Sequence, residues 1–117
     1  MSKYNLEERT IKFSQEVISM CKNVNQDLIS RPIIAQLIRS ATSIGANYME
    51  ANNACSKKDF RNKIFICKKE SQETKYWLII LKGIANEKTL LIDKLKQEVQ
   101  KLTMIFQKIT NTLRKKV

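Results

Sequence analysis

Apolar residues recur along this chain at steps of three, four and seven, the spacing that lines up one face of an α-helix, and they do so in four separate blocks. In the first block Leu6, Phe13, Val17, Met20 and Val24 form the stripe, and Asn5 followed by Glu8 has the spacing of a capping box, which predicts a helix over about residues 5–24. The second block opens at Ser30, Arg31 and Pro32, where proline's fixed φ suits a first helical turn and its missing N–H costs nothing. Its stripe of Ile34, Leu37, Ala41, Ile44, Tyr48 and Ala51 predicts a helix over 32–54. Ser56 with Asp59 is a second capping-box pair, and Phe60, Ile64, Cys67, Ser71, Thr74, Leu78 and Leu81 carry a third helix over 57–83, with Gly83 and Asn86 marking its end. The pattern restarts near Thr89 and runs through Leu95, Val99, Leu102, Phe106, Ile109 and Leu113, a fourth helix over 90–115. Helices of roughly 20 residues are about 30 Å long. Joined by short loops, they predict an all-α, up-down-up-down four-helix bundle in which residues 1–117 form a single domain. Two glycines and one proline in the whole chain, Gly45, Gly83 and Pro32, are too few for a fold of tight hairpins.

Beside these core stripes lie two further patterns. Ile66, Trp77, Ile80 and Ile84 in the third block, with Ile11 and Ile18 in the first, widen the apolar surface past what one monomeric seam uses, which predicts a subunit interface. Arg39, Ser43, Asn47 and Glu50 make a polar stripe on the second helix at four-four-three spacing, and Glu70 and Glu73 on the third stand ready to meet it. The expectation is a structural polar layer in which Arg39 pairs with one of these glutamates inside or beside the core, and which contributes more to register than to stability.

With 43% hydrophobic and 28% charged residues the composition is that of a globular protein, neither disordered nor membrane-embedded. The balance of charge is not ordinary: 22 Lys and Arg against 11 Asp and Glu give a net charge of +11, a field that attracts polyanions. The cations are patterned. Arg61, Lys68, Lys75 and Lys82 recur every seven residues on the third helix, and Lys94, Lys101, Lys108 and Lys115 on the fourth. Lys57, Lys58, Lys69, Arg114 and Lys116 thicken these ridges. Ridges of like charge along a rod suit contact with a phosphate backbone, which is blind to sequence; against such contact, no aromatic residues that could stack on bases are interleaved there. A solvating charged face is the competing reading.

Catalytic chemistry has little to stand on. The chain has no histidine, no Gly-rich phosphate loop and no Glu-x-x-His pair for a di-iron bundle, so neither an enzyme nor a metal or other cofactor is expected. Cys21, Cys55 and Cys67 are odd in number and without CxxC spacing, which argues against a disulfide framework or a zinc site. The polar start MSKYNLEERT, and the lack of any run near the roughly 18 apolar residues of a membrane span, lead to the expectation of a cytoplasmic protein with no membrane partner.

Two segments carry a resemblance: SATSIGANYMEA from Ser40 to Ala51, and DFRNKIFICKKESQETKYWLIIL from Asp59 to Leu81. Their most specific parts are S-I-G-A-N-x-x-E-A, here Ser43 to Ala51, and K-E-x-x-E-T-x-Y-W-L, here Lys69 to Leu78. The chain resembles, over nearly its whole length, the small bacterial four-helix-bundle proteins first noticed as reading frames in intervening sequences of large-subunit ribosomal RNA genes. The resemblance implies a ring-like homopentamer. It also implies kinship with the accessory variability protein of diversity-generating retroelements, which works with a reverse transcriptase and its RNA. Ser43, Asn47, Glu50, Glu70, Glu73 and Trp77 carry over as mainly structural residues. The expected function is a non-enzymatic, homo-oligomeric accessory protein associated with RNA or DNA through its basic ridges, with possible partners including a nucleic-acid enzyme such as a reverse transcriptase. The alternative is a structural or protein-binding scaffold with an acidic protein partner and no nucleic-acid binding.

Overall fold

A computed structural model describes residues 5–115 of the chain, with side chains through Arg114. Four helices follow in order: α1 (Leu6–Lys22), α2 (Ser30–Asn52), α3 (Lys57–Lys82) and α4 (Thr89–Lys115), the last preceded by a 3-10 turn at Asn86–Lys88. Each core stripe turns inward. Leu6, Phe13, Val17 and Met20 of α1 meet Leu37, Ala41 and Ile44 of α2, Ile64, Cys67, Leu78 and Leu81 of α3, and Leu95, Val99, Leu102 and Phe106 of α4 in one core. Ile92, outside the predicted stripe, is equally buried, while Phe60 and Ile109 pack at its margin. Burying one such side chain contributes about 1.5–3 kcal/mol relative to leaving it in water, so this shared core is the main source of stability.

The bundle is 47 Å long and 21 Å across. Its seams are unequal: α2 and α3 pack most extensively, α3 and α4 next, and α1 and α4 least. Close approach of α1 to α2 depends on Gly45, since a Cβ there would sit 3.1 Å from Thr10 Oγ1 and 3.2 Å from Thr10 Cβ. Ser14 Oγ donates to the Ala41 carbonyl at 3.3 Å along the same seam. The molecule is an all-α four-helix bundle.

The helix ends depart from the sequence reading in instructive ways. Asn5 does not cap the backbone: it sits in the left-handed region at φ 48°, and its amide donates to Glu8 Oε2 at 2.8 Å. At α2 the effective cap is not Ser30 but Asp27, whose Oδ1 accepts from the backbone N–H groups of Ile29 and Ser30 at 2.9 Å each. Ser30 Oγ accepts in return from the Asp27 N–H at 3.0 Å, completing a reciprocal capping box that begins three residues before the Ser30–Pro32 start signal. Ser56 behaves as read, in extended conformation with its Oγ accepting from the Asp59 N–H at 3.0 Å. Gly83 ends α3 in ordinary right-handed geometry, its N–H donating to the Ile80 carbonyl at 3.1 Å.

Candidate polyanion-binding face

The expected polar layer divides into three groups. Arg39, whose side chain is 46% exposed, reaches out beside the core and pairs with both glutamates of α3, Glu70 at 3.3 Å and Glu73 in a closer contact. Trp77 Nε1 donates to Glu73 Oε2 at 3.1 Å, and this bond, aided by Arg39 and opposed by partial burial, holds the Glu73 carboxyl below its ordinary pKa. Ser43 and Asn47 do not join them: Asn47 Nδ2 donates to the Ser43 carbonyl at 2.8 Å and to its Oγ at 2.9 Å. Glu50 turns to Lys63 Nζ at 2.7 Å. Ser43 and Asn47, four positions apart on one helix, satisfy each other, so the layer read from spacing is interrupted between two separate contacts across the α2–α3 seam, Arg39 with Glu70 and Glu73 and Glu50 with Lys63. The buried polar contact lies one position deeper, where Thr74 Oγ1 donates to Ser40 Oγ at 2.9 Å with both residues at 0% exposure.

The thiols offer no nucleophile in the core. Burial pushes Cys21 up to about 11 and Cys67 up to about 12, which keeps both protonated, while Cys55 is exposed in the turn before α3. Among the described residues no three His, Cys, Asp or Glu side chains gather where a metal ion would be held. Among the described residues no helix is long and apolar enough to cross a membrane.

Charge divides the molecule. The α3 segment carries eight cationic against three anionic residues and α4 six against two, whereas α1 carries three of each and α2 two against one. The two ridges do not lie side by side as free rails. On α3, Arg61, Lys68, Lys75 and Lys82 are half-buried, and the last two reach across to α4. Lys75 Nζ donates to Gln100 Oε1 at 2.8 Å, and Lys82 Nζ pairs with Asp93 at 2.8 Å. On α4, Lys94, Lys101 and Lys108 are exposed. Both carboxylates of α4 are engaged by other helices, Asp93 by Lys82 and Glu98 by the fork of Arg9 at 2.7 and 3.0 Å. Among the described residues, therefore, no carboxylate lies within salt-bridge distance of the three exposed α4 lysines.

A shallow groove of about 560 Å³ on the α3–α4 seam is lined by Lys75, Asp93, Lys96, Gln97, Gln100 and Lys101. A second, on the loosely packed α1–α4 seam, is lined by Arg9, Lys12, Lys94 and Lys101 together with Glu16 and Glu98. Lys101 borders both. Lys96, Lys12 and Gln100 escaped the sequence reading because none belongs to the heptad series, and their place at the grooves depends on which helices are neighbours. Lys57 and Lys58 are exposed in the first turn of α3, at the end where α2 passes into it, and line neither groove along with Lys69 and Lys108. The guanidinium of Arg114 lies over the Phe65 ring at 5.2 Å, and Lys116 and the Lys115 side chain fall outside the described residues.

Of the second apolar face, Ile11 and Ile84 are exposed, whereas Ile18, Ile66, Ile80 and Trp77 are partly buried, Trp77 against the core. The most exposed apolar side chains are others, Leu28 at 85% and Leu90 at 88%, near the end where the α1–α2 and α3–α4 connections lie.

Comparison with known proteins agrees with this architecture. The family model described as 23S rRNA-intervening sequence protein matches residues 2–108. The fold is similar to the crystal structure of a protein of unknown function from the S23 ribosomal protein family of Bacteroides thetaiotaomicron, at 28% identity and a TM-score of 0.79, covering 89% of this chain and 96% of that one. No curated protein matches the chain.

Proposed function

The chain belongs to the 23S rRNA-intervening sequence protein family, and from that premise we propose that it is a non-enzymatic, homo-oligomeric accessory protein that holds the phosphate backbone of nucleic acid on its α3–α4 face. One observation carries the reading. The carboxylates of α4 are occupied by Lys82 and Arg9, so Lys94, Lys101 and Lys108 present a row of exposed cations with no carboxylate among the described residues within salt-bridge distance, although Glu16 and Glu98 share a groove with Lys94 and Lys101. Seven residues of helix rise about 10 Å, which gives the row a regular pitch along the bundle. Cations in that setting release counterions from a polyanion on contact, a gain that does not depend on base sequence.

Self-association supports the same function. Leu28, Ile29 and Leu90 are exposed apolar side chains of the kind that subunit contacts cover. Several basic faces held in one assembly raise the effective concentration of each for a long polyanion.

The test is size-exclusion chromatography with light scattering on nuclease-treated protein, followed by titration of labelled RNA and DNA at low and physiological salt. Expected are a mass of several subunits and an affinity that falls steeply with salt. Reversing charge at Lys68, Lys75, Lys101 and Lys108 is expected to abolish retention while circular dichroism stays helical. An oligomer indifferent to every nucleic acid at low salt would overturn the reading in favour of an acidic protein partner.

A further inference from the structure

The α3–α4 groove differs from the α1–α4 groove in that its one carboxylate is held by a lysine outside the lining, whereas the α1–α4 groove contains both Glu16 and Glu98. Lys75 Nζ is fastened to Gln100 Oε1 at 2.8 Å. That bond occupies one ammonium proton and the amide oxygen, leaving two N–H groups on Lys75 and the amide NH₂ of Gln100 as donors. Lys96 and Lys101 border the same groove, as does the amide of Gln97. The one anion on its rim, Asp93, is held by Lys82 at 2.8 Å. An ammonium already tethered by a neighbour loses less side-chain freedom when it takes a ligand than a free lysine does. No aromatic side chain lines the groove, so it offers nothing for an unpaired base to stack on.

We propose that this groove, formed by Lys75, Lys96, Gln100 and Lys101, is the phosphate anchor of the basic face, and that its ligand is the backbone of double-helical nucleic acid. The proposal rests on the nucleic-acid reading above and adds to it a site and a ligand class. A duplex presents one charge per about 1.7 Å of axis, twice the density of one of its strands, and a site built of cations and amides without a stacking platform favours the denser array.

The experiment measures binding of one labelled 20-mer as single strand and as duplex, in DNA and RNA, across a salt series, with inorganic polyphosphate as a competitor. The proteins are wild type, Lys75→Ala, Lys96→Ala, Gln100→Glu, and Lys63→Ala as a control outside the groove, on the side of α3 that meets α2, where Lys63 is paired with Glu50. Tighter binding of duplex than of single strand is expected. Lys75→Ala and Lys96→Ala are each expected to lower the slope of log affinity against log salt by about one, and Gln100→Glu to weaken binding at least as much. Lys63→Ala stays near wild type, and melting temperatures confirm that every variant folds. Single strand bound more tightly than duplex, or groove variants indistinguishable from Lys63→Ala while duplex binding persists, overturns the anchor and leaves the broader reading standing. Polyphosphate bound through these residues in preference to duplex assigns the groove to a free polyphosphate and overturns the duplex ligand. Loss of all nucleic-acid binding already in wild type overturns both.

Discussion

At the scale of single residues, the polar groups within and beside the core show how cost depends on pairing. Thr74 Oγ1 donates to Ser40 Oγ, and the two are fully buried on the α2–α3 seam, the most extensive in the bundle. Each hydroxyl also has a carbonyl of its own helix within reach, Glu70 for Thr74 at 2.7 Å and Leu37 for Ser40 at 3.2 Å, so removing one partner costs the survivor its cross-seam bond, whereas removing both leaves a dry contact of similar shape. Thr74→Val alone is expected to cost about 1 kcal/mol in urea unfolding, and Ser40→Ala with Thr74→Val less than the sum of the singles. Simple additivity of the two would show that the pair is not coupled. Glu73 lies nearer water. Its carboxyl is held below the ordinary value by Trp77 and Arg39, so the folded state binds that proton more weakly than the unfolded chain does. A depressed carboxylate contributes stability above its unfolded pKa and loses it as pH falls through the folded value. With an ordinary value of 4.5 the loss begins near there and grows toward lower pH. Because the group is about a third exposed, the contribution is under about 1 kcal/mol. Melting of wild type and Glu73→Gln at pH 7 and pH 3 is expected to differ more at pH 7, and an equal difference at both would remove Glu73 from the account of acid sensitivity.

At the scale of elements, the helices are specified twice, by their apolar faces and by their ends. The faces are robust because a residue every three or four positions repeats the same instruction along the whole helix. The ends depend on one or two groups. Ser56 satisfies the Asp59 N–H at the start of α3, and Ser56→Ala is expected to lower stability by about 1 kcal/mol, with early exchange of the first-turn amides of α3 as the local signature. Unchanged exchange there would mean that water replaces the serine at no cost. The cap of α2 shows the limit of reading ends from sequence. Ser-Arg-Pro resembles a start signal, yet Asp27 supplies the cap, because its carboxylate satisfies two N–H groups where a serine hydroxyl satisfies one.

At the scale of the whole molecule, the excess charge of +11 sits mostly on α3 and α4, while α1 and α2 are nearly neutral. The two proposed roles of the surface then answer differently to salt. Contact with polyanions is screened, with a Debye length that shrinks from about 10 Å at 0.1 M to about 3 Å at 1 M, whereas apolar contact between subunits is not. Light scattering at 0.1 M and 1 M salt is therefore expected to report the same oligomer mass, with nucleic acid retained only at the lower salt. Dissociation at 1 M would place charge, not apolar surface, at the subunit contacts.

Helix count, core faces and sign of the charge were legible in the sequence, because each is written locally: a period of three to four residues needs no knowledge of neighbours, and a lysine is a cation wherever it lies. The heptad lysines were equally legible as a pattern, and the motifs at Ser43–Ala51 and Lys69–Leu78 pointed to the family. Tertiary structure decided which of those cations are free. Whether Lys82 meets Asp93, Arg9 meets Glu98 or Lys75 meets Gln100 depends on how far each helix is rotated and shifted against the next, and that is set by the packing of the whole core, including the close approach at Gly45. A repeat of seven states only that the lysines share a side of their own helix. The neighbours across the seam engage Lys75 and Lys82 of one row, whose four members are half-buried, and leave the three α4 lysines exposed.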